Sequence, residues 1–209
     1  MLSKRKITGL IKKGISRAPL MLHGTSIESL LKLFDDEHLP TGRPFGATRN
    51  YLYFSITKYS GFKGTRFDGI IPIYTKQRAL HHAGIYAKNS AMTQYIMNAL
   101  VSAGISSSHV YKVYLNFEEG FELSVRKEEL EKAEELGEWW GKTRAEARKR
   151  KGVILEMSKS ILELKLLQDP DKDGLRIFCP NGLNIKYFSG IKLRGKEEKR
   201  IFENYLAGR

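Results

Sequence analysis

The sequence is poor in the groups that cross-link a chain or hold a metal. One cysteine, Cys179, occurs in 209 residues, so no internal disulfide can form, and no Cys/His set has zinc spacing. No metal site is expected. With no histidine near it in sequence, Cys179 reads as a buried structural thiol rather than a nucleophile. No run approaches the roughly 18 apolar residues that a membrane-spanning helix needs. The basic start, Met1-Leu-Ser-Lys-Arg-Lys, lacks the continuous apolar stretch of a signal peptide. These absences predict a soluble, cytoplasmic protein with no membrane span. No glycine-rich phosphate loop follows any strand candidate, which argues against a doubly wound nucleotide fold. Acidic residues are also scarce, 23 against 36 Lys and Arg, for a net charge of +13 and a pI near 9.7. That balance favours a polyanionic partner such as RNA or DNA, a nucleotide or an anionic surface; the plainer reading is a solvated, lysine-rich exterior.

The chain is 41% hydrophobic, enough for a sizeable core, and its length suits one elaborated domain. Ile7, Leu10, Ile11 and Ile15 recur at helical spacing among lysines, predicting a basic amphipathic helix within an N-terminal segment 1–19. Residues 20–209 form the expected main domain. Leu20–Leu22 reads as a short buried strand leading to His23, and Thr25-Ser-Ile-Glu28 fits a capping box that starts a helix. Residues 40–50 form a Gly/Pro loop carrying Arg43 and Arg49. Residues 51–56 read as a strand and 57–69 as a stretch interleaving Lys and Arg with Tyr and Phe. Such interleaving suits a single-stranded nucleic acid groove, or else a loop whose rings tuck into the core. Residues 70–75 read as an extended segment, 76–100 as a helix bearing His81 and His82, and 109–117 as a strand. A charged helical insertion is expected at about 126–151, finishing in Arg148-Lys-Arg-Lys151, either a helix-dipole complement or a polyanion patch. Strands are expected at 152–157, 161–167, 175–179 and 183–188, with a turn at 169–174, a hairpin-type turn at Pro180-Asn-Gly182 and a final helix at 195–207. This order predicts an α+β fold of small antiparallel or mixed sheets around a cleft, with flanking helices.

Three short blocks occur in order: Leu22-His23-Gly24-Thr25, Tyr51-Leu-Tyr53-Phe-Ser55 and Ala83-Gly-Ile-Tyr86-Ala87. The set resembles the ADP-ribosyltransferase-fold superfamily, in its histidine-type branch of diphtheria-toxin-like, poly(ADP-ribose) polymerase-like and tRNA 2′-phosphotransferase-like enzymes. The resemblance implies NAD as the bound substrate and ADP-ribose transfer to a protein or nucleic acid. It implies that His23 bonds ribose hydroxyls, that Gly24 offers its backbone to the nicotinamide amide, and that Thr25 bonds the adenosine side while capping the helix. Tyr53 and Tyr86 would sandwich the nicotinamide ring, Ser55 would assist, and Arg43 and Arg49 would meet the pyrophosphate. Many members add a late-strand glutamate that bonds the 2′-hydroxyl. The matching region, 171–178, has none, which leaves Asp173 and Glu156 as the candidate catalytic acids. The alternatives are an RNA 2′-phosphotransferase-like enzyme, which needs no such glutamate, and a catalytically inactive nucleotide- or nucleic-acid-binding module.

Overall fold

The structure, a computed structural model, describes residues 2–41, 50–57, 76–102, 104, 112–116, 120–124, 145–168 and 175–209. The loop arginines Arg43 and Arg49, the stretch 58–75, residues 126–144 of the expected insertion, and the turn with Asp173 lie outside them.

Helix α1 (Lys4–Lys13) begins at Ser3, whose side chain accepts from the Lys6 amide, and stops at Gly14, whose φ of 63° an L side chain rarely adopts. It occupies ten residues of the segment 1–19 in which the basic helix is expected. Leu2 and Ile7 are buried in the same core as the rest of the chain. Strand β1 (Met21–Thr25) follows, then α2 (Ile27–Asp36). The cap of α2 is Ser26, which accepts from the Ser29 amide at 3.3 Å. The expected capping role of Thr25 is therefore displaced by one residue, because β1 runs through His23 and Gly24 to Thr25. Ile27, Leu30, Leu33 and Phe34 are the buried residues of α2 and form one apolar stripe.

Strand β2 (His38–Leu39), β3 (Tyr51–Ile56), the long helix α3 (Lys76–Ser102), β4 (Lys112–Asn116) and β5 (Gly120–Ser124) come next. β4 and β5 pair with each other; β5 was not foreseen. Then come β6 (Val153–Met157), β7 (Leu166–Gln168), β8 (Leu175–Phe178), β9 (Leu183–Asn184), β10 (Phe188–Leu193) and α4 (Lys196–Ala207). The expected strand at 161–167 is a 3-10 turn over Lys159–Glu163 before the short β7. The expected strand at 183–188 breaks into β9 and a 3-10 turn at Ile185–Tyr187. Pro180-Asn-Gly182 does not close a hairpin, because β9 leaves β8 and pairs with β2.

The fold is α+β. Its main sheet has six strands in the order β10-β6-β1-β3-β8-β7, and each neighbouring pair is antiparallel. It is larger than the small sheets the sequence suggested. On one face, alternate residues such as Met21, Leu52, Phe54, Leu155, Leu175 and Ile191 enter the principal core with α2 and with Phe202 of α4. On the other, Leu22 and Ile154 pack against Ala79 and Ala83 of α3.

One buried ion cluster ties the sheet to the helices. Glu198 is fully buried and its Oε1 accepts from Arg150 Nε (3.1 Å) and from the amides of Lys151 and Gly152 (both 2.9 Å). Arg150 Nη2 also donates to Glu28 at 2.7 Å. Both carboxylates sit in the first turns of their helices, where the macrodipole favours them. Arg150 thus serves the interior, and the surface-patch reading of the Arg148–Lys151 cluster loses its third residue.

Candidate functional site

The middle of the sheet opens where β1 and β3 meet. Their pairing covers only Met21↔Ile56 and Leu22↔Ser55, while β1 stays paired to β6 as far as Thr25↔Val153, and β3 stays paired to β8 as far as Tyr51↔Phe178. Beyond Leu22 and Ser55 the two strands part. The imidazole of His23 bridges the opening: its Nδ1 lies 2.7 Å from the carbonyl oxygen of Tyr53. A carbonyl only accepts, so Nδ1 carries the proton and Nε2 keeps a lone pair. The ring packs edge-on against Phe54, with centroids 5.9 Å apart. Burial pushes its pKa below the ordinary 6.5, against the opposing pull of the Tyr53 carbonyl. His23 is therefore a neutral, orientated acceptor at neutral pH.

The other residues named from the sequence fall around this opening in different ways. Along β3 the burial alternates, so Leu52, Phe54 and Ile56 face the principal core. Tyr51, Tyr53 and Ser55 face the α3 side with Leu22. His23, which follows the alternation of Met21, lies towards the core face. The structure thus brings His23 to the backbone of Tyr53 and not to its ring. Ser55 is buried opposite Leu22. Thr25 is a buried strand residue at the end of β1.

Gly24 has a packing reason to be glycine. A Cβ there would lie 2.2 Å from the Ala79 carbonyl oxygen and 2.7 Å from the Ala83 nitrogen, so the missing side chain is what lets α3 cross β1. Tyr86 sits one turn beyond Ala83, its ring edge-on to His82 with centroids 6.1 Å apart. Among the described residues no ring contact joins Tyr86 to Tyr53. His82 in turn takes Arg78 Nε at 3.3 Å.

Glu156, one of the two candidate acids, is engaged by the chain that follows α1. Both its oxygens are in use: Oε2 accepts from the Ser16 amide at 2.7 Å and Oε1 from the Ser16 hydroxyl at 2.6 Å. It pins the chain that follows α1 to β6. Cys179 is buried, and that burial pushes its thiol up to about 11, so it stays protonated at neutral pH.

Arg176 belongs to the site although nothing in the sequence singled it out. It is the register partner of Tyr53, and its guanidinium lies 4.7 Å over the ring of Tyr51. Its Nε is buried with no hydrogen-bond partner among the described residues. Only the β3–β8 pairing reveals this neighbourhood, and the pairing cannot be read from either segment alone.

Among the described residues no cluster of three His, Cys, Asp or Glu side chains is placed to hold a metal ion. A cavity of about 560 Å³ lies elsewhere, on a floor of Leu22, Leu80, Ile154 and Ile191, and includes neither His23 nor Tyr53. No helix among the described residues is long and apolar enough to cross a membrane. Comparisons of the chain with protein-family models, with curated proteins and with solved structures found no match.

Proposed function

We propose that the chain is an NAD-dependent ADP-ribosyltransferase of the histidine-type branch, with the nucleotide seated where β1 and β3 part. The observation that carries this reading is the state of His23. Its ring is buried beside the point where the β1–β3 pairing ends. It is fixed through Nδ1 and presents the Nε2 lone pair.

Breaking the bond between nicotinamide and ribose develops positive charge on the sugar. A neutral imidazole can accept a ribose hydroxyl and orient the sugar without placing a second positive charge beside it. Tyr53 supplies a ring on the α3 side of the same opening, and Arg43 and Arg49 remain the arginines proposed for the pyrophosphate. With Glu156 committed to Ser16, Asp173 is the remaining acidic candidate from the sequence.

The same commitment of Glu156 favours a second reading, in which the site binds a nucleotide without turning it over. The test is incubation with NAD labelled in its adenylate moiety, with RNA, DNA and cell extract as acceptors, alongside calorimetric titration of NAD. Transfer of label that is lost in His23→Ala and kept in Glu156→Gln supports the transferase. Calorimetric binding without turnover selects the nucleotide-binding module. NAD consumption only with a 2′-phosphorylated RNA selects the phosphotransferase-like enzyme. Absence of both binding and turnover overturns all readings in which NAD is a ligand.

A further inference from the structure

The face of β3 and β8 that points away from the principal core is built unlike the rest of the sheet. Tyr51 and Phe178 are register partners, with ring centroids 5.3 Å apart in an edge-on arrangement. Phe178 is 55% exposed, an unusual state for a phenylalanine on a sheet strand. Arg176, from the strand that bears Phe178, places its Cζ over the Tyr51 ring, 4.7 Å from the centroid. Lys165 immediately precedes Leu166, the partner of Ile177, and so lies at the Phe178 end of the β7–β8 pairing; it is exposed and has no ion pair among the described residues.

The aromatic rings and cations therefore sit side by side, with one ring open to solvent and one guanidinium already placed over the Tyr51 ring. The whole chain carries a net charge of +13. Neither a purely apolar partner nor an acidic peptide explains this combination. An apolar partner would leave Arg176 and Lys165 unmatched, and an acidic peptide would have no flat group for the open Phe178 ring. A single-stranded nucleic acid satisfies both at once: every base has a π-face to stack, and every linkage has a phosphate.

We propose that this face, Tyr51, Arg176 and Phe178 with Lys165 at its end, binds single-stranded nucleic acid. One base stacks on the open side of Phe178. Arg176 and Lys165 take the flanking phosphates. Duplex nucleic acid is disfavoured, because its bases are already stacked on one another and offer no free face to Phe178. If the transferase reading above holds, the strand bound here is its acceptor, since Tyr53 links this face to the His23 opening along one strand; the binding itself does not rest on that reading.

The experiment is fluorescence-anisotropy titration of the full chain with labelled dT12 and rU12, and with a duplex of the same length, over a series of salt concentrations. The expected result is tighter binding of the single strands than of the duplex. Phe178→Ala should weaken the single strands on the order of tenfold. Lys165→Ala should lower the salt slope by about one unit while sparing the stacking. Far-UV circular dichroism and thermal melts of both variants establish that they fold. Three outcomes overturn the proposal: no binding at low salt, equal affinity for single strands and duplex, or unchanged affinity in folded Phe178→Ala. The titration contains no NAD, so failure of the nucleotide reading and failure of this one are told apart.

Discussion

Strands β1 and β6 send aliphatic side chains into packed cores on both faces, Met21 and Leu155 on one and Leu22 and Ile154 on the other. Among the described residues, strands β3 and β8 do so on one face only, and their other face holds Tyr51, Tyr53, Arg176 and Phe178. The two halves belong to one continuous ladder, so backbone pairing does not distinguish them. The difference lies in what crosses them. Helix α3 crosses β1 because Gly24 removes the Cβ that would block it. It packs less closely on β3 than on β1. One half is aliphatic and buried on both faces, and the other keeps an aromatic and cationic face. His23 sits at the seam, where the ladder between the halves is interrupted.

The largest effect expected from testing this contrast is at Gly24. A methyl group there meets two backbone atoms of α3 at far less than van der Waals separation. Backbone cannot yield as a flexible side chain can, so α3 must lift from β1 or the strand must bend. Gly24→Ala should cost about 3 kcal/mol of stability, at the upper end for overpacked sites. Urea unfolding followed by circular dichroism reads this directly. An unchanged midpoint would mean that α3 does not lie on β1, and the distinction between the two halves would go with it.

The seam itself is tested by pH. The folded-state pKa of His23 lies below its ordinary value of 6.5 because the ring is buried. The unfolded chain therefore takes up the proton first as pH falls, and protonation favours unfolding. Above the unfolded value the contribution to stability is complete. It declines as pH falls through 6.5 and levels off below the folded value. The slope from one group is at most about 1.4 kcal/mol per pH unit. Comparing wild type with His23→Gln isolates this residue from the other four of the chain's five histidines. The difference between the two stability curves should narrow as the pH is lowered through that window. Parallel curves would show that His23 is not held neutral, and would remove the argument that it orients a ribose without adding charge.

Local order was legible in the sequence where one element contains its own signal. Ile27, Leu30, Leu33 and Phe34 carry the helical period of α2, and the Tyr-Leu-Tyr-Phe run carries the alternation of β3. The α+β class followed from such segments. What required two segments at once was not legible. Glu156 looked like a candidate acid on a strand until Ser16, 140 residues away, claimed both its oxygens. Arg150 looked like part of a basic surface cluster until Glu28 and Glu198 met it in the interior. Leu183–Phe188 has strand composition, yet only its first two residues pair, because their partner is β2. At the candidate site, His23 and Tyr53 meet through the Tyr53 carbonyl rather than between rings. Arg176 was invisible for the same reason: its meaning comes from lying across from Tyr53.

The smallest effect expected is at Phe178, and its smallness is the point. A ring that is 55% exposed contributes little to the core, and its one ring contact among the described residues is edge-on with Tyr51. Phe178→Ala should shift stability by no more than about 0.5 kcal/mol, the range of ordinary surface changes. Urea unfolding of this variant beside Gly24→Ala sets the two halves of the sheet against each other under identical conditions. If Phe178→Ala proves nearly as costly as Gly24→Ala, the ring is a structural element, and the open face of β3 and β8 is a second core rather than a binding surface. If it is nearly neutral, the exposure of a large apolar ring beside an arginine has no role in holding the fold, and binding is left as the reason for its presence.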